Sequence, residues 1–369
     1  MSFAARAVTR VVSLAAALGT LSLAPPAPAQ EATLAQLADR YRRGDRDTAL
    51  GEIGLWTAER TREEVEGLLR PRSFDPALAY AATLFLTHRA LLVSSSDPVS
   101  GSRHLTAAAR LLPAAADAPG CPGCAGVAPR MFLLVGLALQ ADLDVATAHH
   151  VVRAGLHRFE EDPELLTALG IALETGPGMR QYDPPPDATR RSPPLIVRPG
   201  FTVEGGSRGE WRPLPASSLG DAEAAFRRAL AADPGLSEAR LRLGRVRLLR
   251  GQATEALAEL QRVAREAGSL RRQYLARLFE ARAHEKRGDV EGAARAYRAA
   301  VAVEPEGQSA WIGLGRALDL LGRREQTEEA FATALGLRRV RGDPWWTYPR
   351  GDLDRLGPLL AGLQSDLPR

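Results

Sequence analysis

The residues best suited to chemistry are Cys121 and Cys124 of the motif "CPGC", which are the only cysteines of the chain. Two thiols at this spacing are typical of a redox dithiol or of half a zinc site. No second ligand pair accompanies them, and they lie in a loop rich in proline, glycine and alanine rather than at the start of a helix in a βαβ unit. The sequence therefore predicts a disulfide between Cys121 and Cys124 within this loop, with a thiol–disulfide redox protein as an alternative.

Histidines form the second candidate site. His149, His150 and His157 fall on one predicted helix, and His150 and His157 share a face, but no third well-placed ligand accompanies them. The sequence also contains no Walker loop and no HExxH or GxSxG motif. We therefore predict a protein that is not an enzyme and that uses no metal ion and no cofactor.

The first 29 residues have the pattern of a secretory signal peptide. Arg6 and Arg10 precede an apolar stretch at 11–24, and "APA" at 27–29 provides small residues before the cleavage point. The apolar stretch is short for a transmembrane helix, and no later segment is apolar enough to cross a bilayer. We expect cleavage near Ala29 and a periplasmic or secreted mature protein without an integral membrane segment, a compartment in which disulfides persist.

Composition narrows the fold class and the partners. Of the 369 residues, 45% are hydrophobic and 25% are charged, and β-branched runs are scarce, which favours helices over sheets. The 48 basic residues stand against 44 acidic ones, and no basic block forms. A nucleic-acid partner is therefore not expected.

Similar residues recur at an offset of 34 positions, as in the pairs Gly136/Gly170, Gly288/Gly322, Tyr297/Phe331 and Ala300/Ala334. A window that starts at Gln308 has Trp in the fourth place, Leu-Gly in the seventh and eighth, Leu in the eleventh, Gly in the fifteenth, Phe in the twenty-fourth and Ala in the twenty-seventh. This pattern resembles the tetratricopeptide repeat (TPR) family, in which each unit is a pair of antiparallel helices.

The resemblance implies an all-α fold, a right-handed superhelical array of antiparallel helix hairpins. Small residues in the eighth place let two helices approach, and large residues in the eleventh and twenty-fourth places fill the space between them. The fifteenth-place glycine ends the first helix of the unit. The glycines of "GLG" at 313–315 are accordingly expected to pack inside a helix and not to bind phosphate.

The register of the repeats locates an insertion. The offset from Gly170 to Gly244 is 74, one repeat plus 40 residues, which places a stretch rich in proline and glycine between the two helices of one unit. Within it, "LIVRPGFTVE" is compatible with a small hairpin. We predict a signal peptide at 1–29, a degenerate helical-hairpin region at 30–128 with a Pro/Gly/Cys linker at 113–128, a repeat array at 129–341 with the insertion at 177–217, and an aromatic-rich capping segment at 342–369.

The resemblance also implies a binding groove that is lined by the first helix of each unit and faced by the ninth place. Arg245, Arg282 and Arg316 occupy this place in three successive units, whereas Leu137 and Ile171 occupy it in the earlier ones. The three arginines are predicted to form a basic stripe suited to carboxylates of an extended peptide. The family's carboxylate clamp also uses asparagines, and this sequence has none.

The aromatic motif "DPWWTYP" at 343–349 follows the array. Trp345, Trp346 and Tyr348 are candidate partner anchors, because exposed Trp and Tyr dominate interface hot spots. The alternative is an apolar plug against the last repeat, with a final helix at about 352–364 that covers the open end of the stack.

These observations predict a non-catalytic TPR scaffold that mediates protein–protein or peptide binding in the bacterial cell envelope. One alternative is an envelope complex assembly factor that acts through the insertion at 177–217 and the Trp-rich tail. The other is the thiol–disulfide redox protein that uses the CPGC pair. The partner is expected to be a protein or peptide, and the oligomeric state stays open.

Overall fold

The computed structural model of the protein describes residues 76–94, 96–117, 126–175, 218–337 and 342–366, the pairs 181–182 and 211–212, and isolated positions between 36 and 53. The predicted signal peptide, the CPGC pair and the predicted hairpin "LIVRPGFTVE" lie outside the described residues.

Across the described ranges the chain is built almost entirely of α-helices joined by short turns, which confirms the predicted all-α repeat fold. The helices are α1 (Pro76–Val93), α2 (Pro98–Asp117), α3 (Ala128–Ala141), α4 (Val145–Leu156), α5 (Pro163–Thr175), α6 (Ser218–Ala232), α7 (Ser237–Leu249), α8 (Ala253–Glu266), α9 (Leu270–Lys286), α10 (Val290–Val303), α11 (Gln308–Leu320), α12 (Arg324–Gly336), α13 (Pro344–Thr347) and α14 (Leu353–Asp366). A 3₁₀ turn, Tyr348–Arg350, follows α13. Two short strands, β1 (Gln181–Tyr182) and β2 (Trp211–Arg212), pair antiparallel, with Gln181 opposite Arg212.

The described residues fall into two compact units. One comprises the residues up to Val135 together with those from Pro358 onward, and the other runs from Gly136 to Gly357. No helix among the described residues is both long enough and apolar enough to cross a bilayer.

In the first unit, α1 and α2 pack against each other as a hairpin. The helix α2 continues through Pro113 to Asp117, into the segment predicted to be a linker. Leu111 and Leu112 just before Pro113 are fully buried. Burial of this apolar end outweighs the one backbone hydrogen bond that a proline removes from a helix.

In the second unit, consecutive helices pack in pairs: α5 on α6, α7 on α8, α9 on α10, and α11 on α12. The pair of α5 and α6 forms although residues 176–217 lie between them in the sequence. The first helices of the pairs also contact one another, since α7 touches both α5 and α9. The first helices α3, α5, α7, α9 and α11 are therefore the elements that position the site.

The eighth-place glycines permit the close approach of the two helices in a pair. A Cβ atom on Gly170 would lie 2.5 Å from Cε1 of Phe226, and one on Gly315 would lie 2.7 Å from Cε1 of Phe331. Real side chains do not approach so closely, so the backbone of each first helix occupies the space of a side chain. The glycines of "GLG" lie inside α11, as the sequence predicts.

The turns after α3, α7, α9 and α11 pass through a left-handed residue in the fifteenth place. Gly251, Gly288 and Gly322 have φ angles of 80°, 76° and 68°. Leu143 holds the equivalent place in an earlier repeat with a φ of 69°. A residue with a Cβ pays roughly 1–2 kcal/mol for this conformation, which explains why the later repeats use glycine.

Candidate functional site

Residues 343–355 cross the first helices of the second unit. We call them the crossing segment, and we call the helix surfaces that they contact the inner face. Hydrogen bonds and ion pairs join the segment to Ser309 on α11, Tyr274 and Arg272 on α9, Arg242 on α7, Glu164 and Glu174 on α5, and Gln140 on α3. The segment therefore binds five successive first helices of the array.

Asp343 anchors the start of the crossing segment and is only 3% exposed. Its Oδ1 accepts hydrogen bonds from the backbone N–H of Trp345 (2.9 Å) and from the Tyr274 hydroxyl (3.1 Å). Its Oδ2 accepts from the backbone N–H of Ser309 at 2.6 Å. Burial and the nearby Asp343 carboxylate raise the pKa of Tyr274, so its hydroxyl remains a donor. Asp343 thus caps α13 and fixes it to both α9 and α11.

Arg242 on α7 forms the centre of the site and has no solvent exposure. Its Nε donates to Glu238 (2.8 Å), and its two terminal nitrogens donate to Glu174 (3.1 Å) and to the backbone carbonyl of Tyr348 (3.0 Å). The guanidinium lies 3.7 Å from the centroid of the Tyr348 ring. Burial disfavours its charge, but Tyr348, Glu238 and Glu174 together hold the pKa of Arg242 above its usual value. A buried charge is tolerated only with partners as complete as these.

Glu174 joins the segment to two arginines. Its Oε1 accepts from the Tyr348 hydroxyl at 2.8 Å and from Arg245 at 2.6 Å, and its Oε2 accepts from Arg242. Burial and the adjacent Glu174 carboxylate raise the pKa of Tyr348 well above its usual value, although Arg242 and Arg245 oppose this shift. The phenol is therefore neutral and donates to Glu174.

An aromatic cluster packs beside these charges. Phe279 on α9 meets Trp345 and Tyr348 edge to face, with ring centroids 5.6 Å and 5.2 Å away. Trp345 and Tyr348 stack at 5.6 Å with an interplanar angle of 29°. The Arg245 guanidinium lies 4.8 Å from the Tyr348 centroid and 5.4 Å from that of Trp345. Such geometries add cation–π and aromatic attraction to the burial of the rings.

A second charged group holds the far end of the segment. Arg272 on α9 donates to Glu238 on α7 (3.0 Å) and to Asp352 (2.8 Å), and the Ser269 hydroxyl donates to Asp354 at 2.6 Å. Burial, helped by the neighbouring Glu238 carboxylate, raises the pKa of Asp352 to about 6 in spite of Arg272. Glu238 has the opposite shift, because the arginines around it outweigh its burial and lower its pKa.

Arg271, next to Arg272 in sequence, is less well satisfied. Its Nη2 lies 3.5 Å from the carbonyl oxygen of Gly351, at the limit of a hydrogen bond. Its Nε and Nη1 are buried, and no acceptor among the described residues bonds to either. The inner face therefore contains one arginine that the crossing segment does not fully engage.

The residues that the sequence singles out differ in their surroundings. Arg245 belongs to the charged cluster under the segment, whereas Arg282 and Arg316 lie on α9 and α11 with exposed side chains. Arg282 has one carboxylate nearby, Glu285 at 3.8 Å. Of the aromatic anchors, Tyr348 is buried and Trp345 is half-buried on the inner face, and Trp346 is 39% exposed. Their predicted role in partner binding stays a prediction.

The position of the aromatic motif differs from the expectation that it plugs the last repeat. The residues that contact Trp345 and Tyr348 belong to α5, α7 and α9, away from the terminal helix α12. The physical reason is that α7 and α9 offer the returning chain both donors and an aromatic ring. Arg242 donates to the Tyr348 carbonyl, Arg272 donates to Asp352, and Phe279 packs against Trp345 and Tyr348. The repeat register predicts contacts within and between repeats, and it does not predict where the segment after the last repeat packs.

Sequence reasoning missed Arg242, Glu238 and Glu174. One signal was present: Glu238 and Arg242 are four residues apart, on the face of α7 that also bears the buried Leu241 and Ala239. A charged pair at helical spacing among buried positions indicates a buried ion pair. The third member, Glu174, is 68 residues away in sequence from Arg242, which hides it from local patterns.

Two family models match the chain, both described as tetratricopeptide repeat, at residues 216–278 and 280–344. These residues form tetratricopeptide repeats. The matched residues contain α7 to α12, which provide most of the inner face. A TPR array supports the general function of a scaffold that binds proteins or peptides. No curated protein sequence matches the chain.

Two solved structures illustrate the weak similarity of the chain to known structures. MamA from Desulfovibrio magneticus RS-1, from residue 41 to its end, is 19% identical, with 58% of this chain and 96% of that chain covered and a TM-score of 0.41. YrrB, "a TPR protein with an unusual peptide-binding site", is 14% identical, with 57% and 87% covered and a TM-score of 0.37. Scores this low carry no argument about site or function.

Proposed function

We propose that this TPR protein is a non-catalytic scaffold that binds a protein or peptide partner along its inner face, in the bacterial cell envelope. The observation that carries the proposal is the crossing segment itself, a polypeptide bonded to five first helices. Arginines of α7 and α9 and the Phe279 ring hold its centre. This arrangement indicates the chemistry of the surface, which accepts carboxylates and aromatic side chains.

The first helices also expose a stretch beside the inner face that the crossing segment does not contact. On α11, Ile312, Arg316 and Leu320 are spaced four residues apart, and so form one stripe along the helix. All three are exposed, with 42% for Ile312 and 69% for Leu320, and Arg282 on α9 is exposed as well. We call Arg282, Ile312, Arg316 and Leu320 the open stretch. Alternating arginine and aliphatic side chains suit a segment that carries both acidic and apolar residues.

The compartment is part of the proposal. The signal-peptide pattern of residues 1–29 supports export, with a mature chain that starts near Gln30. The envelope is therefore where the partner is to be sought.

The test reverses charge on the open stretch. The mature protein is used to capture partners from its native envelope, and bound proteins are identified by mass spectrometry. We expect Arg282→Glu combined with Arg316→Glu to lower capture of an acidic partner by about tenfold or more, because two attractive contacts become repulsive. The matched control is Arg324→Glu on α12, whose side chain is 91% exposed but belongs to a second helix. Equal capture by the double variant and the control would contradict a role for the open stretch.

A further inference from the structure

We infer that the crossing segment is a built-in ligand of the inner face, which an external acidic and aromatic segment displaces in order to bind there. The inference rests on the proposed function, and it names both the occupied part of the binding face and the class of partner that fits it. Three features support it: the groups of the segment that the face binds, the unsatisfied Arg271, and the ion pairs that remain on the face when the segment leaves.

The contacts of the segment are those of a bound peptide. Asp343, Tyr348 and Asp352 are buried against the first helices, and Trp346 is exposed. Arg350 is exposed too, but its guanidinium donates to the Ala141 carbonyl of α3 at 2.7 Å. The recognised groups are carboxylates, a phenol, and the backbone carbonyls of Tyr348 and Pro349. Main-chain contacts combined with buried side chains are typical of peptide recognition.

The charges of the face and the segment balance overall but not locally. The face contributes four arginines (Arg242, Arg245, Arg271 and Arg272) and three glutamates (Glu164, Glu174 and Glu238), a net charge of +1. Residues 343–355 contribute three aspartates and two arginines, a net charge of −1. The local exception is Arg271, whose Nε and Nη1 are buried without an acceptor among the described residues. An external segment that places a carboxylate at Arg271 satisfies donors that the resident segment leaves unpaired.

The face stays paired when the segment leaves. Arg242 keeps Glu174 and Glu238, Arg245 keeps Glu174, and Arg272 keeps Glu238, because all these partners lie on α5, α7 and α9. Departure of the segment therefore leaves the arginines with carboxylate partners and admits water, instead of leaving a buried charge alone. This pairing is what makes exchange for an external segment feasible.

A resident ligand lowers the apparent affinity for any external ligand of the same face. The apparent dissociation constant rises by the reciprocal of the fraction of molecules in which the face is free. Weakening the resident segment without altering the face must therefore tighten binding of an external copy. This relation gives a test that uses the full chain.

The probe is a fluorescent peptide with the sequence of residues 342–356, "GDPWWTYPRGDLDRL", and binding to the full mature chain is followed by anisotropy. Tyr348→Ala in the chain removes the hydroxyl bond to Glu174 and the stacked ring, while every residue of the face remains. We expect this variant to bind the peptide about tenfold more tightly, or better, than the wild-type chain. The matched control, Trp346→Ala, removes a neighbouring exposed ring and is expected to leave the affinity unchanged.

Changes in the peptide test the chemistry. A peptide with Asp352→Asn loses the ion pair with Arg272 and is expected to bind more weakly, and one with Tyr348→Ala is expected to lose most of its binding. Where the Tyr348→Ala chain does not melt cooperatively, Trp345→Ala is used instead, because it leaves the Tyr348 bonds to Arg242 and Glu174 in place. A folded variant that binds the peptide no more tightly than the wild type would overturn the inference.

The two proposals fail separately. The inference fails if the wild-type chain and the Tyr348→Ala chain bind the peptide with equal affinity, whatever the capture experiment finds. The proposed function fails if charge reversal at Arg282 and Arg316 leaves partner capture unchanged, even where the peptide competes with the crossing segment.

Discussion

Two arginines in the same place of the repeat, Arg245 and Arg316, have opposite surroundings. Arg245 bonds to the buried Glu174 and lies beside the rings of Tyr348 and Trp345, whereas Arg316 is exposed on α11. The repeat determines which face of the helix each arginine occupies. What differs is that the chain returns over α5, α7 and α9 and leaves the exposed part of α11 uncovered. The covered part of the inner face thus stabilises the protein, and the open part remains available to a partner.

The largest expected effect on stability comes from replacing Arg242, the central arginine of the covered part. Arg242→Met leaves Glu174 and Glu238 with less charge compensation in a buried site, and we expect it to lower the free energy of unfolding by about 3–5 kcal/mol. Arg316→Met, the same change on the open stretch, is expected to stay within about 0.5 kcal/mol. Urea denaturation followed by circular dichroism measures both. Similar losses in the two variants would break the distinction between covered and open regions.

A smaller expected effect is the pH dependence of the free energy of unfolding that Asp352 causes. The pKa of Asp352 is raised to about 6, so between pH 4 and pH 6 the folded chain holds a proton that the unfolded chain has released. The contribution of Asp352 to stability is therefore greatest at low pH and falls as pH rises through this window. We expect the stability of the wild type relative to Asp352→Asn to decrease by about 1–3 kcal/mol from pH 4 to pH 6.

The control for the pH experiment is Asp319→Asn, which removes an exposed carboxylate from α11. The same denaturation series is recorded for wild type and both variants at pH 4, 5 and 6. A wild-type curve parallel to that of Asp352→Asn over this range would contradict the protonation of Asp352 in the folded chain.

Much of the fold follows from the sequence, because the repeat is a local pattern. The eighth-place glycines that pack against Phe226 and Phe331, and the fifteenth-place glycines with positive φ, follow directly from 34-residue spacing. The same spacing places Arg245, Arg282 and Arg316 on first helices. These features depend on helix geometry and on contacts between neighbouring repeats, and both can be inferred from the spacing of residues in the sequence.

The candidate site depends on contacts that the repeat does not encode. Arg242 reaches Glu174 across 68 positions and the carbonyl of Tyr348 across 106. The sequence predicted Tyr348 and Trp345 to be partner anchors because a sequence does not show which aromatic side chains are exposed. Their burial depends on where the C-terminal segment packs. The open stretch was predictable in residue type, but its separation from the covered arginines was not.

Hydrogen–deuterium exchange of the full mature chain tests the central claim most directly. We expect the amides of residues 343–352 to be protected in the free protein, because the segment is held by Asp343, Tyr348 and Asp352. Saturating amounts of the peptide of residues 342–356 should then speed exchange in residues 343–352 while α7 and α9 stay protected. Unchanged protection of the crossing segment, with the peptide shown to be bound, would contradict the claim that this segment occupies the inner face as a displaceable ligand.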